Sequence, residues 1–407
     1  MYIFKAGVVG AGAMGAGIAQ VITYSGLPVV LKDIRQDLVD KGVERVREIY
    51  QRRVDRGRMD AGEMEEKMAL LIPTTSYADF GDVDIVIEAV PEKMELKKQV
   101  FRELDEVCPE GTIFASNTSA LSISAMAAAT KRPQKVIGMH FFNPANVMKL
   151  VEVIPGLDTS QETVDDVVMF AESLRKIPVV VQECAGFLVN RILMPFLNES
   201  VYALQEGAAT ASDIDRVVVE SGMPMGPFTL ADFLGLDVCW DVAQTLYQEY
   251  GERMRPAELL GMIVQAGRLG EKSGAGFYGY GGNSDEPVKE MIEQIQKKTG
   301  ITGTPFSLDR LFLPLINEAV YCLQENIASV GDINKAMIAG TGMKRGAEMV
   351  GPLQIADEMG LDVVMQKMEE FERILGPRFH PAPLLRRKVL AGHLGKKTGK
   401  GFGEYTS

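Results

Sequence analysis

Cysteine is scarce. Only Cys108, Cys184, Cys239 and Cys322 occur in 407 residues, far apart and with no C-x-x-C pair. That spacing argues against a disulfide-built scaffold and a zinc knuckle. It fits reduced thiols, and no metal site is expected. Histidine is scarcer still, with three copies. Chemistry that needs a side chain titrating near neutral pH therefore has few places to reside. Long apolar runs are missing, since no stretch approaches the ~18 residues of a membrane helix. Positive charge is in deficit: the formal net charge is −12, which argues against nonspecific binding to nucleic acid or to an anionic membrane. The first strand begins at Ile3, which leaves no room for a signal or transit peptide. Together these absences predict a soluble, cytoplasmic protein.

What is present is an ordinary globular composition, 46% hydrophobic, in a chain long enough for two or three domains. Residues 3–9 form a short apolar strand, followed by Gly10-Ala11-Gly12-Ala13-Met14-Gly15 and a helix to about Ser25. The next strand, residues 29–33, ends in Asp33. A lone G-x-G-x-x-G is weak evidence. One that follows a strand, opens a helix and precedes an acid at the end of the next strand is a dinucleotide fingerprint. Gly10 allows the tight turn, Gly12 lets the backbone approach a pyrophosphate, and Gly15 lets helix and strand pack closely. Asp33 accepts bonds from ribose hydroxyls and repels a 2′-phosphate. NAD is thus favoured over NADP, with Arg35 nearby as a counterweight.

Residues 36–71 read as one long, charged helical segment. Arg45, Arg47, Arg52, Arg53, Arg56 and Arg58 crowd part of it. They make either a solvated face or a cationic arm for a polyphosphate. Residues 83–89 are a continuous apolar strand carrying Glu88, as a buried parallel strand should be. A helix is predicted from Pro91-Glu92-Lys93. After a strand at 111–115, Ser116-Asn117-Thr118-Ser119 precedes a helix predicted at 120–129, so Ser119 is either a cap or a functional hydroxyl. Strands alternating with helices imply a doubly wound, predominantly parallel sheet, whose ligands sit beyond the carboxyl ends of its strands.

The strand at 135–139 delivers His140, in Gly138-Met139-His140-Phe141-Phe142-Asn143-Pro144. A second strand, Leu150-Val151-Glu152, follows shortly after. An imidazole can take or give a proton at neutral pH, and a carboxylate on its other nitrogen fixes the tautomer. Glu152 is the candidate. Gly10, Asp33, Glu88, Ser119 and His140 all fall at or near strand ends, which favours chemistry over a merely packed histidine.

The second half contains a duplication. Residues 187–195 resemble 306–314, Asn198-Glu199 matches Asn317-Glu318, and Gly226-Pro227 matches Gly351-Pro352. Each copy opens with a long apolar helix carrying a mid-helix proline, which should kink it. The offset between the copies grows along their length, so the second carries an insertion of six residues. Residues 281–305 contain the boundary. Asn190 becomes Asp309 in the second copy; a neutral amide can donate to a substrate oxygen, whereas an ionised aspartate cannot. Only the first copy follows directly from the dinucleotide-binding part, so it is expected to complete the active site.

With these motifs in place, the chain resembles the (S)-3-hydroxyacyl-CoA dehydrogenases, also called 3-hydroxybutyryl-CoA dehydrogenases, over essentially its whole length. The tandem arrangement resembles the dehydrogenase portion of the bacterial multifunctional fatty-acid oxidation subunit. The resemblance implies an α/β Rossmann-type NAD-binding domain at 1–183 and two homologous all-α domains at 184–282 and 283–407. It implies NAD-dependent oxidation of a 3-hydroxyacyl-CoA, with His140 as general acid/base and Glu152 as its orienting carboxylate. Ser119 and Asn190 would hold the reacting oxygen. Ser119, Glu92, Lys97, Asn143 and Lys272 would lie near NAD, and Arg53 near the CoA phosphates. The helical copies would pack as an internal pseudo-dimer, in a monomer or homodimer. The rival readings are a β-hydroxyacid dehydrogenase, many of which use a lysine instead of a His/Glu pair, and a non-catalytic crystallin-like relative.

Overall fold

The computed structural model describes residues 2–405, in two compact units, Met1–Phe187 and Leu188–Ser407. The first unit is built on one eight-stranded sheet. Its strands are β1 (Ala6–Val9), β2 (Val29–Lys32), β3 (Leu71–Thr74), β4 (Ile85–Glu88), β5 (Ile113–Ser116), β6 (Val136–Phe141), β7 (Leu150–Pro155) and β8 (Ile177–Val180). Their order across the sheet is β3-β2-β1-β4-β5-β6-β7-β8. β1 to β6 run parallel, so the order reverses between β1 and β4 and opens a crevice at their carboxyl ends. β7 turns back antiparallel to β6, and β8 runs parallel to β7. The central strands β1, β2, β4 and β5 are wholly buried, as their near-continuous apolar sequences require.

The helices of this unit are α1 (Ala13–Tyr24), α2 (Gln36–Asp55), α3 (Ala61–Met68), α4 (Met94–Val107), α5 (Ile123–Ala127) and α6 (Gln161–Ser173). Three expectations need correction here. Residues 36–71 are not one helix. α2 stops at Asp55, Asp60 caps α3 by accepting from the Glu63 N–H, and Leu71 begins an edge strand. The helix expected from Pro91 begins at Met94. The helix expected at 120–129 is α5 alone. Its cap is Ser122, whose hydroxyl accepts from the Ala125 N–H, so Ser119 is not a cap.

The second unit is helical. It comprises α7 (Val189–Gln205), α8 (Ala211–Glu220), α9 (Pro227–Leu234), α10 (Leu236–Tyr250) and α11 (Glu258–Gln265), then α12 (Glu286–Thr299). A second set follows: α13 (Leu308–Gln324), α14 (Val330–Thr341), α15 (Pro352–Met359), α16 (Leu361–Leu375) and α17 (Pro383–Leu390). The duplication extends to individual hydrogen bonds. Asp232 accepts from the Phe277 and Tyr278 N–H groups and the Tyr280 hydroxyl; Asp357 does the same for Phe402, Gly403 and Tyr405. The interval that contains the inserted residues forms a small hairpin, β9 (Lys344–Arg345) with β10 (Glu348–Met349).

α7 packs along α13, and buried charges join the two reciprocally. Arg191 Nε donates to Glu318 Oε1 at 2.8 Å, and its terminal nitrogen lies 2.7 Å from Glu325. Arg310 Nε donates to Glu199 Oε1 at 2.7 Å, and its terminal nitrogen donates to Glu206 at 2.6 Å. Arg253 and Arg378 add a second guanidinium to Glu318 and Glu199 respectively. Both arginines of the helix pair are fully buried, and Glu199 and Glu318 nearly so. Removing one partner of such a pair leaves an uncompensated buried charge. Glu199→Gln or Glu318→Gln should therefore each cost about 3 kcal/mol or more in denaturant-induced unfolding. Glu293→Gln, which breaks only an exposed pair with Lys297, should cost less than about 0.5 kcal/mol.

Candidate active site

The glycine turn lies where the strand order reverses. Gly10 has φ +102°, and a side chain there would meet the Ala89 carbonyl oxygen at 2.6 Å. A Cβ on Gly15 would stand 1.7 Å from the Gly10 carbonyl oxygen, so only glycine lets α1 start this close to β1. A Cβ on Gly12 would meet nothing within 4 Å, because that residue faces open space at the amino end of α1. Gly12, Ala13 and Met14 are at least partly exposed, whereas Ala11 and Gly15 are buried. Free N–H groups at a helix amino end facing open space suit a pyrophosphate.

Asp33 does more than its sequence position suggests. One carboxylate oxygen accepts from the Ala11 N–H at 2.8 Å, and the other from the Ile34 N–H at 2.7 Å. The acid thus holds the glycine turn in place while each oxygen keeps acceptor capacity for a ribose hydroxyl. Arg35 is occupied by Asp37 through two bonds, at 2.8 and 3.0 Å.

Glu88, at the end of β4, is fully buried and anchors a polar cluster. It accepts from Lys97 Nζ at 2.9 and 3.0 Å, from the Ser116 hydroxyl at 2.6 Å, and from the Val90 N–H at 2.6 Å. Lys97 also pairs with Glu92 at 3.1 Å. Glu92 in turn accepts from the Thr118 hydroxyl and from the Ser119 N–H at 2.9 Å. Burial pushes the Glu92 carboxyl up, but Lys97, the Thr118 hydroxyl and the Ser119 N–H outweigh it and hold it below its ordinary value. Lys97, 1% exposed, bonds to Glu88, to Glu92 and to the Val90 carbonyl, and Glu92 links it to the Ser119 N–H. Sequence reasoning missed this function of Glu88. The signal was present: a carboxylate ending an apolar strand must be paired.

His140 and Glu152 are direct cross-strand partners in the β6–β7 ladder. His140 Nδ1 and Glu152 Oε2 are 2.8 Å apart, and Glu152 is fully buried. With Nδ1 engaged by the carboxylate, Nε2 is the ring nitrogen that Glu152 leaves open. The ring lies against Phe142 and Phe187, with centroids at 4.7 and 5.9 Å. Phe187 holds a left-handed backbone, φ +47°, the kind of strain that collects at functional sites. The Phe141 N–H donates to Asn117 Oδ1 at 2.8 Å, tying the dyad's strand to the turn that bears Ser119. Asn143 is exposed in the connection after β6. The first unit therefore contains the glycine turn, Asp33, Glu92, Ser119 and the His140–Glu152 pair, most of them at strand ends.

Asn190 and Lys272 belong to the second unit. Asn190 sits, partly exposed, in the first turn of α7. Its counterpart Asp309 pairs with Lys367 at 2.5 Å. Lys272 pairs with Asp237, and Lys397 with Asp362 in the same way, which marks that pair as a feature of the repeat.

The arginines of α2 divide. Arg45 donates to the Ala11 carbonyl, and Arg47 pairs with Glu65. Arg52, Arg53, Arg56 and Arg58, with Ile49, Asn146 and Val147, line a cleft of about 420 Å³. Arg53 donates to the Tyr24 hydroxyl at 2.8 Å, and its Nε is buried without a hydrogen-bond partner. Under the 145–148 turn, Lys176 Nζ donates to the Ala145 and Met148 carbonyls. Among the described residues no group of three or more acidic, histidine or cysteine side chains could hold a metal, and no helix is long and apolar enough to cross a membrane.

A doubly wound sheet with this glycine turn, and a His–Glu pair on the same sheet, defines a dinucleotide-dependent oxidoreductase. The sequence family described as the 3-hydroxyacyl-CoA dehydrogenase NAD binding domain matches residues 5–184. The corresponding C-terminal domain matches residues 186–280 and again 306–405. The chain belongs to the 3-hydroxyacyl-CoA dehydrogenase family. It is similar to the fatty acid oxidation complex subunit alpha of Psychrobacter arcticus, with 37% identity over 96% of this chain and 55% of that protein. The chain thus spans about half the length of the curated relatives it matches. The crystal structure of 3-hydroxybutyryl-CoA dehydrogenase from Escherichia coli K12 superposes with a TM-score of 0.86 at 30% identity, over 96% of this chain and 99% of that one. The (S)-3-hydroxybutyryl-CoA dehydrogenase of Ralstonia eutropha is 42% identical over 69% of this chain and 99% of that one, with a TM-score of 0.67.

Burial pushes the Lys176 ammonium down to about 8 from its ordinary 10.5. Below about 8 it is charged in folded and unfolded chains alike. Between those two values the unfolded chain holds a proton that the folded chain has released, so stability rises with pH across that window. Urea midpoints measured at about pH 7.5 and about pH 9.5 should show this rise in the wild type and a smaller one in Lys176→Met. An equal rise in both would show that Lys176 is not its source.

Proposed function

We propose that this chain catalyses the reversible oxidation of (S)-3-hydroxyacyl-CoA to 3-oxoacyl-CoA with NAD, on short acyl chains such as 3-hydroxybutyryl-CoA. Its setting would be fatty-acid β-oxidation or butyrate-type metabolism. The observation that carries this reading is the buried 2.8 Å contact between His140 and Glu152 at a strand end of the glycine-turn sheet. His140 Nε2 takes the hydroxyl proton of the substrate, and Glu152 stabilises the imidazolium that forms. Bound NAD supplies the acceptor for the C3 hydride. In reverse, His140 protonates the oxygen of the 3-oxo group.

Gly10, Ala11, Gly12, Ala13, Met14, Gly15 and Asp33 hold the cofactor's pyrophosphate and ribose. Ser119 lies near its nicotinamide, and Glu92, Lys97, Asn143 and Lys272 lie near the cofactor, Lys97 being paired with Glu92. Ser119 and Asn190 hold the reacting oxygen, and Arg53 meets the phosphates of CoA. The orphaned Arg53 Nε and the cleft around it support that last assignment. We assign residues 1–183 to the NAD-binding domain and 184–282 and 283–407 to the two helical domains. These two pack as an internal pseudo-dimer within a monomer or homodimer, a reading supported by the reciprocal arginine–glutamate pairs. Four free thiols and a net charge of −12 fit a cytoplasmic setting.

Acetoacetyl-CoA and NADH should be consumed together by the purified chain, and no turnover would overturn the reading. His140→Gln should lower kcat by about a hundredfold or more with NADH affinity little changed. NADH should be preferred over NADPH in kcat/KM by at least about tenfold, because a 2′-phosphate would meet Asp33 while Arg35 is held by Asp37. Asn190→Ala should lower activity about tenfold, and Asp309→Ala should stay within about twofold. The opposite pattern would place the active site on the other copy.

A further inference from the structure

Three residues besides glycine have positive φ among the described residues: Arg175, Phe187 and Asn326. Arg175, φ +60°, follows α6 at a position where helices end in a left-handed residue. The Arg175 N–H bonds to the Glu172 carbonyl and the Lys176 N–H reaches back to Ala171, the pattern of a helix stop that favours glycine. Elsewhere this chain obeys that preference, with Gly57, Gly207, Gly267 and Gly392 just past helix ends. Asn326 is the tolerated exception. An arginine gains nothing from this backbone, so its side chain is where a reason should be sought.

That side chain lies over the Tyr24 ring, its guanidinium carbon 5.3 Å from the centroid. The Arg53 guanidinium lies 4.4 Å from the same ring. One tyrosine thus carries two cations, and one of them lines the arginine cleft. Arg175 forms no ion pair among the described residues, and it is exposed. Its neighbour Lys176 clamps the Ala145 and Met148 carbonyls on either side of Asn146 and Val147, which line the same cleft. The turn after α6 therefore supports this wall of the cleft with one residue and places a free guanidinium near it with the next.

We propose that Arg175 is a specificity-determining residue of the arginine cleft, adding a guanidinium that recognises a phosphate of a nucleotide-bearing substrate. This rests on the reading of the cleft as the phosphate end of a coenzyme A ester site. The phosphate is a nucleotide's phosphomonoester or pyrophosphate, the anions that clustered guanidinium forks bind best.

The test compares two thioesters with the same reacting end: acetoacetyl-CoA, and acetoacetyl-pantetheine, which lacks the nucleotide. Arg175→Gly relieves the backbone strain, so its Tm should rise, while KM for acetoacetyl-CoA should rise at least about threefold. That increase should shrink as salt is added, and KM for acetoacetyl-pantetheine should not follow it. Arg175→Asn, which also tolerates this backbone, should repeat the KM change, and Arg175→Lys should restore most of the affinity. A gain in Tm with no change in KM, or an equal change for both thioesters, would overturn the role of Arg175. A wild-type enzyme with equal KM for the two thioesters would instead overturn the assignment of the cleft to the nucleotide. Failure to turn over either would count against the proposed activity itself.

Discussion

The site depends on a reversal of direction. β6 is the last strand of the parallel series, and β7 comes back antiparallel to it. Antiparallel pairing sets residues directly opposite each other, with side chains on the same face. His140 and Glu152 are such a pair, so the distance between them is set by the ladder and not by a flexible loop. A parallel β7 would have required a crossover and a slanted ladder. The reversal also buries Glu152 completely. A carboxylate in that position must be satisfied, and the imidazole engages one of its oxygens. Folding stability and the orientation of the imidazole are in this way the same requirement.

The same economy governs the acids around the glycine turn. Asp33 and Glu92 each spend part of their acceptor capacity on backbone N–H groups, at Ala11 and Ser119 respectively. Glu88 spends its own on Val90, Ser116 and Lys97. These bonds fix loops that would otherwise be free to move, so that part of the ordering cost is met during folding and not when a ligand binds. Lys97 serves two carboxylates with one ammonium. The cluster keeps a net negative charge near the Ser119 turn, with Glu92 as its half-exposed end.

The helical unit solves a different problem. α7 and α13 each bring a fully buried arginine and a nearly buried glutamate, Glu199 or Glu318, into their interface, with Glu206 and the more exposed Glu325 just past the helix ends; an unpaired charge inside it would be costly. The solution is exchange: each arginine is neutralised by the glutamates of the other copy. Neither copy is complete alone in this respect, which ties the two together more specifically than apolar burial would. The difference between Asn190 and Asp309 becomes intelligible on the same grounds. Asp309 has Lys367 as a partner, whereas the residue at the matching place in the first copy is Val242, which offers no charge to an aspartate.

Features that follow from chain-wide patterns were legible in the sequence: the glycine turn, the buried strands, the helix pair with its prolines, and the duplication. The features missed have local causes. β3 and β8 are the two edge strands, four residues each, and each contains a proline, Pro73 and Pro178. Proline weakens a strand's sequence signature for the reason it is tolerated there, since an edge strand has a side with no ladder to break. Ser119 looked like a cap because Ser116, Thr118, Ser119 and Ser122 are all competent caps. The structure gives the cap to Ser122, while the Ser119 N–H is taken by Glu92, 27 residues away. The dyad was legible because both of its members come from adjacent strands joined by a short connection. The arginine cleft was legible only as charge. Its wall comes from residues 146–147, and the turn at 175–176 that supports it lies more than a hundred residues from α2 along the chain. Periodicity reports which face of an element is buried. Which polar atom meets which is set by tertiary closure, and that is where the chemistry of this protein is decided.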